Sequence, residues 1–168
     1  MDYIIETKRL RLREFTLDDT AFIVELLNSP GWLQYIGDRN VRTEVQAKHY
    51  LINGPMKSYT DYGYGLSLVE KKDDGKAIGM CGILHRDTLD SPDIGFAFLP
   101  DFIGKGYAYE IASATIAYAK NQLGLAKIAA ITVPDNVKSI RLLEKIGLTY
   151  IKLFHLPNSE EELCLYSN

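Results

Sequence analysis

The sequence predicts a mixed α/β domain in which helices flank a mostly antiparallel sheet of six to seven strands. Leu10–Phe15 alternates apolar and charged residues, which is typical of a half-buried strand. Three strand-like runs follow one another between residues 66 and 99, which predicts an antiparallel meander. The apolar stripe of Gly106–Leu123 predicts one long helix. Parallel pairing is expected where a long helix separates two strands.

In the first half of the chain, capping boxes mark the starts of two helices, because a Thr is followed three residues later by an acid or a Gln. The predicted elements are the strand Leu10–Phe15, a helix from the box Thr16–Asp19 to Asn28–Gly31, a helix from the box Thr43–Gln46 through Leu51, and a Tyr-rich loop over Pro55–Gly65.

In the second half, two helices interrupt a series of strands. The predicted strands are Leu66–Val69, Ala77–Leu84, Ile94–Leu99, Ile128–Val133, Leu148–Phe154 and Leu163–Tyr166, and the helices are Gly106–Leu123 and Asn136–Ile146. Asn136 is the expected N-cap of the second helix, and Gly147 is its expected left-handed C-terminal residue.

Composition sets the class of protein. The 168 residues are 46% hydrophobic and 24% charged, which is close to the globular average and excludes disorder. We therefore expect one domain over residues 1–168. The net charge of −3 argues against a nucleic-acid binder, and the two Cys and three His show no spacing of metal ligands. We find neither a signal peptide nor the ~18 consecutive apolar residues of a membrane span, so we expect a cytoplasmic location.

The most informative stretch is Phe96–Ala108, where a strand runs into a Gly-containing turn that opens the longest helix. Unpaired N–H groups at such a helix start bind anions, and glycines let a phosphate approach the backbone. Lys105 would add a positive charge. The alternative is a tight turn without a ligand. A P-loop is excluded because Gly104-Lys105 is followed by Gly106, and a dinucleotide fingerprint fails at Tyr109.

Two motifs resemble those of the GNAT superfamily of acyl-CoA N-acyltransferases. Ile103–Ala108 resembles its pyrophosphate loop, Gln/Arg-x-x-Gly-x-Gly/Ala; Gly106 and Ala108 match, whereas Ile103 replaces the polar first residue. Pro134–Gly147 resembles the motif Asn-x-x-Ser/Ala followed by Glu-Lys-x-Gly. Glu6–Arg13, Ile36-Gly-Asp and Ile78–Ile83 are similar to the branch that acetylates the N-termini of ribosomal proteins, on alanine for example.

The resemblance implies a splayed sheet with acetyl-CoA wedged between two strands at the split. It implies that the backbone after a bulge in the stretch Phe96, Ala97, Phe98 and Leu99 binds the pantetheine arm. The implied diphosphate ligands are the amides of Ile103, Gly104, Lys105, Gly106, Tyr107 and Ala108. Asn136 and Ser139 are expected to approach the cofactor from the other strand, with Asn136 also able to cap its helix.

The sequence identifies the catalytic acid and base less clearly than the cofactor loop. Family members often carry an acidic base and a Tyr at positions that are Ile131 and Leu143 here, and neither of these exchanges a proton. Ser139 could protonate the leaving thiolate. Asp93 is the best candidate to orient or deprotonate the amine, against an alternative in which it is a solvated strand-end carboxylate. His85, at the end of the neighbouring strand, is a second candidate base, against the alternatives of a strand-end histidine without a catalytic role and of a base relayed through water.

The resemblance therefore implies an N-acetyltransferase that moves the acetyl group of acetyl-CoA to a primary amine by direct attack on the thioester. The acceptor is either a protein N-terminus or a small molecule, in a slot formed by residues 28–40 and 55–65. Tyr59, Tyr62 and Tyr64 either line that slot or belong to the core. No metal is expected, and the chain is a monomer or a homodimer. The absence of the usual acid–base pair supports the alternative of a CoA-binding sensor with weak or no turnover.

Overall fold

The computed structural model describes residues 2–168 and contains eight strands and six α-helices in this range. The strands are β1 (Ile5–Glu6), β2 (Leu10–Arg13), β3 (Leu66–Lys71), β4 (Ala77–Leu84), β5 (Asp93–Phe98), β6 (Ala129–Thr132), β7 (Thr149–Phe154) and β8 (Leu163–Ser167). The helices are α1 (Thr20–Leu27), α2 (Pro30–Tyr35), α3 (Glu44–Asn53), α4 (Pro55–Tyr62), α5 (Tyr107–Asn121) and α6 (Val137–Lys145).

The strands form one open sheet with the order β1-β2-β3-β4-β5-β6-β8-β7. Every neighbouring pair is antiparallel except β5 and β6, which are parallel because the long helix α5 connects them. This confirms the predicted mixed, mostly antiparallel sheet. The expected count of six to seven strands is one too low because β1, only two residues long, is too short to leave an alternating pattern.

Helices cover both faces of the sheet. On one face, α5 and α6 pack through residues such as Ile111, Ile116 and Leu143 against the strands. On the other face, α1–α4 enclose a second apolar cluster that includes Leu26 and Trp32. None of the helices in residues 2–168 is long and apolar enough to cross a membrane.

Local sequence explains most helix boundaries. Both predicted capping boxes are present: Thr16 pairs reciprocally with Asp19, and Thr43 with Gln46. Asn136 caps α6 as predicted, and Gly147 adopts a φ of +99° just after that helix.

Both segments of the expected acceptor slot, for which no helix was predicted, contain one. Pro55–Gly65 was expected to be a loop, but α4 occupies Pro55–Tyr62, and residues 28–40 contain α2. In each case a Pro taken as the end of the preceding helix is instead the first residue of a new one, where its missing N–H costs nothing.

Candidate active site

A gap opens in the sheet between β5 and β6. The two strands share a single ladder pair, Asp93 opposite Ala129, and Ala129 N–H donates to the carbonyl of Pro92 at 2.8 Å. Beyond this pair, no further pairing between the two strands is present in the described part of the chain. The gap therefore has a closed end at Asp93 and an open end after Phe98 and Thr132.

The strand β5 presents alternate backbone groups to this gap. Leu99 N–H donates to the carbonyl of Ile78 on β4 at 2.9 Å, so the backbone N–H and C=O groups of the odd-numbered residues of β5 point toward β4. By alternation, the N–H and C=O groups of Phe96 and Phe98 face the gap. Of the four residues predicted to contact the pantetheine arm, Phe96 and Phe98 direct their backbone N–H and C=O groups into the gap. Those of Ala97 and Leu99 point toward β4 instead.

The expected bulge in β5 is wrong. Residues of β4 and β5 pair one to one from Gly79 opposite Phe98 to Leu84 opposite Asp93, without a shift in register. A regular ladder fits because Gly79 has no side chain: a Cβ there would lie 2.5 Å from the carbonyl oxygen of Ala97 and 2.6 Å from the ring of Phe98. The separation from β6, rather than a bulge, exposes the backbone of β5.

The loop before α5 lies at the open end of the gap. Gly104 and Gly106 have φ values of +81° and +84°, a left-handed conformation that favours glycine. Gly106 is the N-cap of α5, and no side chain caps the helix. The first intrahelical acceptor, the carbonyl of Gly106, is used by the N–H of Glu110 at 3.1 Å, so the N–H groups from Gly104 to Ala108 are available to a ligand. The N–H of Ile103 is not available, because it donates to the carbonyl of Pro100 at 3.2 Å.

The rest of this predicted anion site is accessible. Ile103, Gly104, Lys105 and Gly106 are exposed, and Tyr107 and Ala108, which begin α5, are half-buried. The helix dipole adds a partial positive charge at this point. The loop therefore has the exposed N–H groups, the dipole and the nearby Lys105 that a diphosphate requires.

Asn136 and Ser139 lie beyond β6, on the opposite side of the open end. Asn136 Oδ1 accepts a hydrogen bond from Ser139 N–H at 3.3 Å, which confirms the capping role of Asn136. Ser139 is half-buried, and its hydroxyl makes no hydrogen bond within residues 2–168. The Asn136 oxygen is thus used by the helix, whereas the Ser139 hydroxyl is available.

Asp93 lies at the closed end and is 1% exposed. Arg86 Nε donates to both of its carboxylate oxygens at 3.1 Å. Burial raises the pKa of Asp93 to about 6, although the charge and hydrogen bonds of Arg86 act to lower it. The alternative of a solvated strand-end carboxylate is wrong, because the meeting of β4, β5 and β6 excludes water from this position.

Aromatic side chains surround this end. The Tyr62 ring stacks on His85 with 4.2 Å between centroids and on Tyr64 with 6.1 Å. Tyr62 is 43% exposed, so this cluster is open to solvent. Tyr59 has a structural role: its hydroxyl donates to the carbonyl of Leu66 and accepts from Phe15 N–H at 3.0 Å, and burial raises its pKa to about 12.

The structure does not bring the two catalytic candidates together. The side chain of Asp93 is on the α1–α4 face by alternation with Ala97 and Leu99, which pack there. Ser139 belongs to α6, which packs on the other face and at the other end of the gap. Leu143 is 1% exposed within the core, so that position serves packing.

A cavity of about 360 Å³ lies near the open end. It is lined by Gln34 and Tyr35 of α2, Val133–Asp135 after β6, and Glu161 and Glu162 of the β7–β8 loop. The segment 28–40 thus contributes two residues to a cleft beside the gap, whereas no residue of the segment 55–65 lines it, and three carboxylates do.

Sequence reasoning missed Arg86. It lies in the β4–β5 loop, seven residues before Asp93, and becomes its neighbour only because β4 and β5 form a hairpin. The pairing of Leu84 with Asp93 is the signal that could have placed it near the carboxylate, since Arg86 follows Leu84 by two residues.

Comparison with known proteins agrees with this geometry. Residues 9–149 match the family model described as "Acetyltransferase (GNAT) domain". The chain is 34% identical over 149 residues to the uncharacterized protein YkkB of Bacillus subtilis (strain 168), with 87% of this chain and 85% of YkkB covered. It is 31% identical over 144 residues to the uncharacterized N-acetyltransferase YnaD of the same organism, covering 86% of this chain and 81% of YnaD.

The fold is also found in solved structures. An acetyltransferase from Agrobacterium tumefaciens str. C58 superposes with a TM-score of 0.83 at 24% identity, covering 98% of this chain and 92% of that one. This likeness supports the fold, including the open sheet with flanking helices.

Proposed function

Because the chain belongs to the GNAT acetyltransferase family and is therefore an acetyl-CoA-dependent acyltransferase, we propose that it transfers the acetyl group to a primary amine by direct attack on the thioester. The amine nitrogen forms a bond to the thioester carbon, the C–S bond breaks, and CoA leaves as a thiolate. The observation that carries this proposal is the gap between β5 and β6, which joins unpaired strand backbone to an uncapped helix start. We further propose that residues 1–168 form a single N-acetyltransferase domain.

The proposed cofactor site runs along this gap. The amides from Gly104 to Ala108 bind the diphosphate at the open end, whereas the predicted contact through Ile103 N–H is not part of the proposal, because that group donates to the carbonyl of Pro100 at 3.2 Å. Phe96 and Phe98 present N–H and C=O groups to the pantetheine arm, and one of these N–H groups polarises the thioester carbonyl as negative charge develops on its oxygen. Asn136 and Ser139 border the arm from the β6 side.

The proposed base is Asp93. A protonated amine has no lone pair, so a group must take its proton before or during attack. A carboxyl with a pKa raised to about 6 is ionised at neutral pH and is a stronger base than an ordinary aspartate. Its side chain is on the face of α1–α4, the helices that include both segments of the proposed acceptor slot.

The acceptor is proposed to enter between these segments. Tyr62 and Tyr64 stand near the closed end, and the cleft lined by Gln34, Asp135 and Glu162 stands near the open end. Carboxylates at the cleft would attract an amine that arrives protonated. This supports a primary amine as acceptor, on either a small molecule or a peptide N-terminus.

The direct test measures free-thiol release from acetyl-CoA with a panel of small primary amines and peptides with free N-termini. We expect amine-dependent thiol release and an acetylated product of matching mass. Tertiary analogues of the best amines serve as the matched control, because they cannot form a stable amide. CoA binding without amine-dependent release from any member of the panel would instead support a CoA-binding sensor.

A further inference from the structure

Arg9, in the turn between β1 and β2, lies against the loop that precedes α5. Its Nη1 donates to the carbonyl of Lys105 at 3.1 Å, and its Cζ lies 4.3 Å from the centroid of the Tyr107 ring. A Cβ built on Gly106 would be 3.3 Å from Arg9 Nη2. One guanidinium thus contacts Lys105 and Tyr107 and lies beside Gly106 between them, although it is distant from all three in the sequence.

Glu110 holds this guanidinium in place. Its Oε1 accepts from Arg9 Nε at 2.7 Å, and its Oε2 accepts from Arg9 N–H at 2.9 Å and from the hydroxyl of Thr7 at 2.6 Å. Burial opposes ionisation of Glu110, but the hydrogen bonds from Thr7 and Arg9 outweigh it and hold its pKa below the usual value. The carboxylate lies in the first turn of α5, where the helix dipole also favours a negative charge.

The turn that carries Arg9 is itself fixed to the sheet. The carbonyl of Arg9 accepts from Lys72 N–H at 2.9 Å, and Thr7 N–H donates to the carbonyl of Leu10 at 2.9 Å. The loop before α5, by contrast, is exposed, and two of its residues are glycines in the left-handed conformation. Arg9 therefore connects a loop with much conformational freedom to a rigid part of the molecule.

We infer that Arg9, held by Glu110, is a positioning residue for the CoA diphosphate, because it fixes the loop from Lys105 to Tyr107 with its N–H groups directed outward. The inference rests on the proposed function. The charge of Arg9 is paired with Glu110, so the benefit comes from ordering the loop before the ligand arrives rather than from an added positive charge. A loop that is already ordered binds more tightly, since less conformational entropy is lost on binding.

The test compares CoA with pantetheine, which lacks the diphosphate. In Arg9→Gln, we expect CoA affinity measured by calorimetry to fall about tenfold, while pantetheine affinity measured by NMR titration stays within about twofold of wild type. Glu110→Gln should show the same selective loss. The fold should survive, because the pair is partly exposed, with side-chain exposures of 42% for Arg9 and 19% for Glu110, and such surface pairs contribute only about 1 kcal/mol to stability. The matched control is Glu44→Gln, which removes another first-turn helix carboxylate, paired with Lys48 at 3.4 Å, and should change neither affinity.

Three results would overturn the inference while CoA still binds the wild type: unchanged CoA affinity in both variants, an equal loss for CoA and pantetheine, or full affinity in Arg9→Lys. An equal loss for CoA and pantetheine would assign Arg9 a general structural role. Full affinity in Arg9→Lys would show that the positive charge matters, rather than the contacts that only a guanidinium makes. No binding of CoA by the wild-type protein would overturn the proposed function itself, and this inference with it.

Discussion

The two ends of the gap between β5 and β6 offer different chemical groups to a ligand: backbone N–H groups at one end and a carboxylate side chain at the other. At the open end, the proposed anion site consists of backbone N–H groups around Gly104 and Gly106, and it is exposed. At the closed end, the proposed base is one side chain, Asp93, which is buried and paired with Arg86. The first site needs access to solvent for a large anion, whereas the second needs water excluded so that the pKa of a carboxyl rises.

This difference determines how each end should respond to substitution. A site of several backbone amides loses affinity when a side chain obstructs the loop, but no single side chain carries its chemistry. A site of one carboxyl loses its chemistry when that group is changed, while the cofactor still binds at the distant end. Variants at the two ends should therefore separate binding from turnover.

The largest expected effect is at the closed end. Asp93→Asn keeps the shape but removes the basicity, so kcat/KM for the amine should fall on the order of 10²-fold. CoA affinity should stay within about twofold, because the residue is remote from the diphosphate loop. Steady-state kinetics and calorimetry measure the two quantities, and Asp90→Asn, an exposed acid of the same β4–β5 loop, is the matched control. Wild-type kcat/KM in Asp93→Asn would remove it from the mechanism.

The pH profile sharpens this test. The base acts when ionised, so wild-type kcat/KM should rise with pH through about 6, the value to which burial raises the pKa of Asp93. Arg86 acts to lower that pKa, so Arg86→Gln should move the rise to higher pH. The rise should disappear in Asp93→Asn. A rise at the same pH in all three proteins would assign it to another group, such as the amine or His85.

The two ends also differ in how well the sequence predicts them. The open end is local: the spacing of Gly104 and Gly106 and the N-cap Asn136 are contiguous signals, and the structure has the predicted turn and cap. The closed end depends on which strands meet. The burial of Asp93 results from the junction of β4, β5 and β6, which no single segment encodes. Arg86 reaches it through the β4–β5 hairpin, and the predicted meander contains that hairpin but not the register that brings the two side chains together.

The same distinction applies to the fold. Capping boxes and the long stripe of α5 are local, and they predicted helices correctly. The helices α2 and α4 were missed because each begins at a Pro directly after another helix has ended. The regular pairing of β5 with β4 depends on the close approach of Phe98 to Gly79 across the sheet, which a single strand sequence does not encode.

A smaller effect is expected at the open end. Gly106→Val places a branched side chain at a φ of +84°, beside Arg9 Nη2, and should weaken CoA binding at least about tenfold, or 1.4 kcal/mol. Gly124→Val is the matched control, since Gly124 has a φ of +69° with open space around it but lies beyond the other end of α5. Calorimetry with CoA measures both. Equal losses in the two variants would indicate backbone strain alone, and unchanged affinity in Gly106→Val would reject the diphosphate loop.

The smallest effect is expected for Ser139→Ala. This variant tests whether deprotonation of the amine and protonation of the thiolate are carried out by different residues on the two faces of the sheet. Asp93 would take the proton of the amine on one face, and the free hydroxyl of Ser139, which lies toward the other end of the gap, would protonate the thiolate directly or through a water molecule. A thiol pKa of ~8.5 makes the thiolate a good leaving group, so kcat should fall only about fivefold, below the ~10²-fold of ordinary acid catalysis.

The KM for acetyl-CoA should not change in this variant, because Ala keeps the backbone N–H that binds Asn136 Oδ1 and so preserves the cap of α6. Ser113→Ala, in which the lost hydroxyl bonds only the carbonyl of Tyr109 within α5, controls for removing a serine from a helix. A rise in KM that matches the fall in kcat/KM would make Ser139 a contact of the cofactor rather than a proton donor. An unchanged kcat would leave Asp93 as the only side chain of the gap with a part in the chemistry.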